Sequence, residues 1–527
     1  MKKEQVDLLV KDATIYTVDN DFSVVEAFVV KDGRILATGT AKEMEEKYEA
    51  SSTLALEDHY IYPGLIDPHC HFTGYGLSLN EVDLGGTTSV EEIIARCKTF
   101  AEKFNPEWIT GRGWDQNDWK IKEFPNATML DGAFPNTPVF LRRIDGHAGW
   151  ANSMALKMAG VNNETMVDGG EVKMMNGIPS GILLDNGIGL VASIIPKPGL
   201  DKLQQGLLMA QKNCFAVGLT SVTDAGLETN EVKLIDSLQR SGVLKMRINA
   251  MLSPTESNFS TYIEKGVFQN DYLTISTLKL YADGALGSRG ARMIEDYSDD
   301  PGNKGLFVTP LETLKKLSQR ALDNNYQVAV HCIGDDANRQ VLQIFGELLG
   351  GKNDRRWRIE HSQVIHPDDF KLFGKYSIIP SVQSTHATSD MYWAENRIGP
   401  ERISGAYSYK TLLEQNGWLP NGSDFPVEHI NPIFGFYASV ARKDKEGFPE
   451  NGFRPEEGLS RTEAMRSMTI WAAKSAFEEG FKGSIEVGKL ADFVVTQEDL
   501  MTAEEQTLPR IKISYTYSAG EKVYEQK

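Results

Sequence analysis

Cysteine is scarce in this chain: four in 527 residues (Cys70, Cys97, Cys214 and Cys332), far apart and with no Cys-x-x-Cys pair. That spacing excludes a disulfide framework and a zinc-ribbon site and suits a reducing compartment. Positive charge is also in short supply, with 55 lysines and arginines against 73 acidic residues and a net charge of -18. Such a balance argues against nucleic acid or an anionic membrane as a partner. It leaves a small substrate open, because a metal can make one pocket locally positive. No apolar run approaches the ~18 residues that a bilayer span requires. The opening MKKEQVDLLVKDATIYTV has an apolar stretch cut short at Lys11 and Asp12, which is not the pattern of a signal peptide. The expectation is a soluble, cytoplasmic protein.

What the chain does have is length and material for a core. At 527 residues, 41% hydrophobic and 24% charged, it exceeds one ordinary domain and can bury a sizeable interior. Both ends read as short strands. DLLVKDATIYTVD and SVVEAFVVKDGRILATG alternate apolar and polar residues around the hairpin signal Asp32-Gly33. GSIEVGKLADFVV (483–495) and RIKISYTYSAGEKVYE (510–525) mirror them. Neither end has enough strands for a core of its own. Residues 1–60 and 480–527 are therefore expected to pair into one composite β subdomain.

Between them, residues 61–479 repeat strand-then-helix units, the pattern of a parallel sheet with outer helices. Eight apolar segments qualify as strands: 61–67, 219–226, 245–252, 277–284, 327–334, 356–363, 377–383 and 418–426. Leu203, Leu207, Ala210 and Cys214 share one helical face before the second of them. Before the fifth, Thr309-Pro310-Leu311-Glu312 predicts a cap, a first-turn proline and a capping-box glutamate. Eight such units predict an α/β fold, a (β/α)8 TIM barrel. Residues 78–200, containing strand-like EWITGRG and TPVFLRRID, are too long for a loop and predict an insertion or lid after barrel strand one. Active sites of such barrels lie at the C-terminal ends of the strands, so this insertion is placed to overhang the site.

Polar residues collect at those predicted ends. His69 and His71 close strand one and project from one face, because side chains alternate along a strand; Cys70 points the other way. His331 closes strand five, His361 strand six and Asp424 strand eight, while Lys279 lies within strand four. Neutral imidazoles and carboxylates are divalent-metal ligands, and a lysine in an apolar strand needs a partner. Glu360, next to His361, is expected to face away. His59, His366 and His429 read as structural, and Cys70 and Cys332 are not counted as ligands.

The whole chain resembles the amidohydrolase superfamily of metal-dependent hydrolases, in its amidohydrolase-3 (YtcJ-like) branch. The resemblance rests on PGLIDPHCH (63–71), GRGWDQNDW (111–119), RRIDGHAGWANSMAL (142–156), LKLYADGALGSRGA (278–291), HCIGDDAN (331–338), RIEHSQ (358–363), SVQSTHA (381–387), NGSDFPV (421–427) and GSIEVGKLADFVV (483–495). It implies His69 and His71 as ligands of a first metal, His331 and His361 as ligands of a second, and Asp424 as both ligand and proton shuttle. Lys279 matches the position of an N6-carboxylated lysine bridging two metals; an unmodified lysine beside a single metal remains the alternative. The implied cofactor is one or two divalent cations, Zn2+ first. The implied reaction is attack of metal-bound hydroxide on a non-peptide C–N bond, an exocyclic N-acyl or N-formyl amide. A cyclic amidohydrolase, a deaminase, or a non-catalytic binding module are the other readings, and the oligomeric state is open, a homodimer included.

Around that centre, His386 is a candidate donor to the carbonyl oxygen and counts with Asp424 as catalytic. His147 is a candidate substrate contact. Trp114 and Asp115, with Trp119, either wall the pocket or, for the two tryptophans, form the core of the insertion. Arg289 either binds a substrate carboxylate or makes a structural ion pair.

Overall fold

In the computed structural model, residues 2–527 are described. The strand Leu65–Cys70 is buried at every position, as expected where helices and neighbouring strands cover both faces of a parallel sheet. It pairs with Leu219–Leu227, and the sheet continues in chain order through Arg247–Leu252, Leu273–Tyr281, Gln327–Cys332, Arg358–His361 and Ile379–Ser381. All of these pairings are parallel. Helices Leu200–Ala216, Thr229–Arg240, Leu311–Asp323 and Asp335–Leu349 supply crossovers, and Leu203, Leu207, Ala210 and Cys214 are buried on the first of them, as their spacing predicts.

The eighth segment departs from expectation. Residues 418–426 form no strand and reach the seventh strand only through an isolated bridge, Val382 to Asn421. Pro420 and Pro426 remove donors, and Asp424 takes a left-handed φ of 61°, so an extended run cannot persist. The segment still spans the gap. Val382 N–H donates to Pro420 C=O (3.0 Å) and Gly422 N–H to Val382 C=O (2.9 Å) on one side. Asp424 N–H donates to His69 C=O (2.8 Å) and His71 N–H to Phe425 C=O (2.8 Å) on the other. The result is a nearly closed barrel. A second correction is smaller: the helix after Thr309 begins at Leu311 with Pro310 as its extended N-cap and no side-chain cap.

Strands from both chain ends share one sheet, joined where Tyr60–Pro63 runs antiparallel to Phe493–Thr496. Asp32 and Gly33 turn its hairpin with φ of 52° and 73°, the double left-handed conformation of a tight hairpin turn. A separate six-stranded sheet runs from Val82–Asp83 to Ile178–Asp185 in sequence, around a core that includes Trp114, Trp150 and Leu141.

Arg247, on the third barrel strand, explains a polar residue in an apolar run. It is buried against Asp492, Nε to Oδ2 at 2.6 Å and Nη2 to Oδ1 at 2.8 Å, and its Nη1 reaches Asp271 C=O at 2.6 Å. Burial alone would raise the Asp492 carboxyl, but Arg247 outweighs it and holds it below its ordinary range. That depression stabilises the fold fully above about pH 4 and is lost as pH falls through the folded value. Removing one partner strands a buried charge, so Asp492→Ala is expected to cost about 3–5 kcal/mol. Thermal or urea unfolding measures it; a melting temperature equal to that of the parent would show that the pair does not hold the sheet to the barrel.

Candidate active site

Three ligating atoms meet where the barrel closes. His69 Nε2 lies 3.4 Å and His71 Nε2 3.2 Å from Asp424 Oδ1, and one ligand atom from each residue falls within 4.8 Å of the others. The outer nitrogens are already committed. His71 Nδ1 faces Ala225 C=O at 3.2 Å, and His69 Nδ1 faces Glu360. Each ring is thereby fixed with its proton on Nδ1 and its Nε2 lone pair turned to the common point.

A second group adjoins the first. The ring of His361 lies 5.0 Å from that of His69 and 4.6 Å from that of His331, centroid to centroid. His361 Nδ1 is held by Gln383 Oε1 (2.7 Å), leaving Nε2 free, and His331 Nε2 faces Gly284 C=O (3.3 Å), leaving Nδ1 free. Burial, then the neighbouring histidines, push both rings well below their ordinary pKa. Lys279 Nζ is buried with no hydrogen-bond partner, 4.9 Å from the Tyr281 ring, and burial pushes its pKa down to about 8. His386 Nε2 stands 3.9 Å from Asp424 Oδ2. His69 Nε2, Lys279 Nζ, His386 Nε2 and Asp424 Oδ1 are all buried without a partner among the described residues. Such atoms are costly unless something pairs them, and nitrogen and carboxylate donors around one point are the chemistry of a divalent cation. The residues present therefore fit a metal.

Glu360 corrects the sequence reading. It does not face away. Arg358 and Glu360 lie on the barrel interior, in register with Ala329 and His331 on the next strand. It is His361 that leaves the strand, turning into the site with a φ of 74°. Strict alternation fails there because the backbone stops being extended. Glu360 is fully buried, takes Arg358 Nε at 2.6 Å and Nη2 at 2.9 Å, and accepts from His69 Nδ1. Burial opposes its charge, but Arg358 and His69 prevail and hold it far below the usual carboxylate range.

The centre opens into a cavity of about 790 Å³ bordered by both barrel and insertion. His147 lies on its wall with Nδ1 against Asp185 Oδ1 at 2.7 Å. Asp115 also borders it but is engaged by Arg143. Trp114 does not. It is fully buried in the core of the insertion, with its indole N–H on Leu141 C=O at 2.9 Å, and Trp119 packs beside it. Arg289 also lies off the cavity, paired bidentately with Asp299 at 3.0 and 2.9 Å. His59, His366 and His429 are outside the site, and all four cysteines are buried free thiols. The sequence did not mark Arg112, Arg142, Tyr281 or Glu428, which do border the cavity. Arg112 and Arg142 sit in the GRGWDQNDW and RRIDGHAGW stretches, yet only the pairing of their strands brings them together.

Comparison with known proteins bears on this architecture. A family model described as the amidohydrolase family matches residues 52–524. Protein LONG AFTER FAR-RED 3 of Arabidopsis thaliana is 34% identical over 508 residues, covering 93% of this chain and 87% of that protein. The "Putative amidohydrolase YtcJ" of Bacillus subtilis (strain 168) is 31% identical, covering 97% and 98%. An N-substituted formamide deformylase of Arthrobacter pascens is 24% identical, covering 99% and 98%. The crystal structure of an uncharacterized metal-dependent hydrolase from Pyrococcus horikoshii superposes with a TM-score of 0.77 at 26% identity, covering 94% and 99%. Likeness of this extent, on a nearly closed barrel with a metal-fitting centre, shows that the chain belongs to the amidohydrolase family, in the YtcJ-like part of the metal-dependent hydrolases.

Proposed function

We propose that this protein hydrolyses a non-peptide C–N bond of a small amide, an exocyclic N-formyl or N-acyl group. The observation that carries the reading is Asp424, whose carboxylate lies between the His69–His71 pair and His386 at the floor of the cavity. The formamide deformylase relative supports the choice of amide. His69, His71 and Asp424, with His331, His361 and Lys279, would hold one or two divalent cations, Zn2+ first by donor type. Bound there, the metal would polarise the carbonyl and make a water acidic enough to attack at neutral pH. Asp424 accepts the proton of the attacking water and returns it to the departing nitrogen. His386, kept neutral because burial pushes its pKa down, donates to the carbonyl oxygen as charge develops there. His147, fixed by Asp185, orients the substrate from the insertion side.

A deaminase reading is disfavoured. A deaminase would use a glutamate in a His-x-x-Glu spacing after the fifth strand to protonate its ring, and here the third residue after His331 is Gly334; the next, Asp335, opens the helix Asp335–Leu349, accepts from Ile294 N–H at 2.8 Å and does not border the cavity. For organisation, we take 1–60 with 480–527 as one β subdomain, 61–479 as the barrel, and 78–200 as its insertion. Four buried free thiols support a cytoplasmic setting. No helix among the described residues is long and apolar enough to cross a membrane.

Three outcomes follow for the centre. Asp424→Asn is expected to keep bound metal by elemental analysis while losing about 100-fold or more in kcat on formamides; near-parental turnover would remove its proton role. Glu360→Gln keeps the volume but loses the charge on His69, so metal affinity by chelator competition should drop roughly 10–100-fold. An unchanged affinity would leave Glu360 a fold element alone. If Lys279 is carboxylated, removing CO2 lowers metal occupancy and adding bicarbonate restores it, because only the neutral amine reacts with CO2. Indifference to CO2 points to the unmodified lysine.

A further inference from the structure

Four cationic side chains border the cavity: Arg112, Arg142, Arg143 and Lys279. Two are accounted for. Arg143 is neutralised by Asp115 and Asp145, and Lys279 belongs to the metal centre. The other two are not. Among the described residues, neither Arg112 nor Arg142 has a carboxylate within the 4.0 Å ion-pair distance. Arg112 is anchored by Nε and Nη2 to a neutral acceptor, Ile144 C=O, at 3.3 and 2.9 Å, which leaves Nη1 unused. Arg142 is exposed.

The two arginines are direct neighbours across the parallel strands Ile109–Trp114 and Val139–Arg143. Like charges opposite one another on one sheet face are unfavourable, and burial together with Arg142 lowers the Arg112 pKa accordingly. Glu81 is near enough to feel both charges yet outside ion-pair distance, and burial raises its pKa. Arg112 in turn is near enough to the metal centre for its charge to act on His71. Two like-charged guanidinium groups side by side on the cavity wall, Arg112 anchored on a backbone carbonyl and neither in an ion pair, make an arrangement that an anion can complete. Two guanidinium forks match a planar carboxylate in geometry and charge.

We propose that Arg112 and Arg142 form an anion subsite on the insertion side of the cavity, which holds a carboxylate carried by the substrate beside the bond to be cleaved. The subsite rests on the hydrolase reading for its purpose but not for its detection. It narrows the substrate class to amides bearing an anionic substituent, and it makes the insertion the source of that preference.

Binding of a pair of compounds without an amide bond, hydrocinnamate and hydrocinnamyl alcohol, tests it by calorimetry on the metal-loaded protein. The acid should bind at least about tenfold tighter than the alcohol, the scale of a charge-assisted hydrogen bond. Arg142→Gln, at an exposed position where folding is not at risk, should erase most of that preference. Arg112→Gln should do the same and Arg112→Lys should retain part of it. Arg289→Gln, off the cavity, should leave it intact. Equal binding of acid and alcohol by the parent, or a preference that survives both glutamine variants, overturns the subsite and assigns any carboxylate affinity to the metal. Hydrolysis of N-formylphenylalanine against N-formylphenylalaninamide separates the two readings. Carboxylate preference in binding with no amide cleaved keeps the subsite and defeats the hydrolase; cleavage of both amides with equal kcat/KM does the reverse.

Discussion

The hydrogen bond from Asp424 N–H to His69 C=O, 2.8 Å long, does two things at once. It closes the barrel where no eighth strand exists, and it sets a carboxylate beside two imidazoles. The left-handed turn at Asp424 ends any chance of a regular strand but swings the side chain inward. A regular strand would have completed the ladder and left the side chain's direction to strict alternation. The geometry of the centre and the incompleteness of the sheet are therefore one feature. Non-glycine residues in such backbone regions cost of order 1–3 kcal/mol and persist where surrounding structure over-determines them; here His361 and Asp424, both with positive φ, both border the cavity.

Beneath the centre, buried charge is paired with care. Glu360 meets Arg358, Arg247 meets Asp492, and Lys482 meets Glu478. Buried carboxylates without a cation are instead wrapped in donors: Asp67 by Ser423 and the His69 N–H, Asp224 by Thr73. Satisfied networks of this kind rigidify an interior. Other buried side-chain atoms also lack a hydrogen-bond partner, those of Asn249 and Arg397 among them, but the nitrogens of His69, Lys279 and His386 and the oxygen of Asp424 all border one cavity where a ligand could pair them. The same contrast separates Arg143, paired twice, from Arg112 and Arg142 on the insertion.

The six-stranded sheet between the first and second barrel strands has a core side and a cavity side. Its tryptophans, Trp114 and Trp150, are consumed in its own core. Its charged and imidazole side chains, His147 and the arginines, project to the cavity.

The sequence by itself determined a great deal here. Seven of the eight apolar runs overlap parallel strands, because a strand buried on both faces is predominantly apolar. His69, His71, Lys279, His331, His361 and Asp424 were picked out as polar residues at or near the ends of such runs, and the fold brings all six to the border of one cavity. What tertiary structure alone decided were the matters that depend on direction. Glu360 faces inward in alternation with Arg358, and His361 joins it at the site only because its backbone leaves the extended region, which no alternation rule foresees. Trp114 went to the core of the insertion and Arg289 to Asp299, since a side chain's partner is chosen in space. Arg112 and Arg142 are thirty residues apart in sequence and neighbours only once their strands align. Strand periodicity is local and can be read along the chain; the point toward which side chains converge is set by contacts between distant segments, and only the folded molecule fixes it.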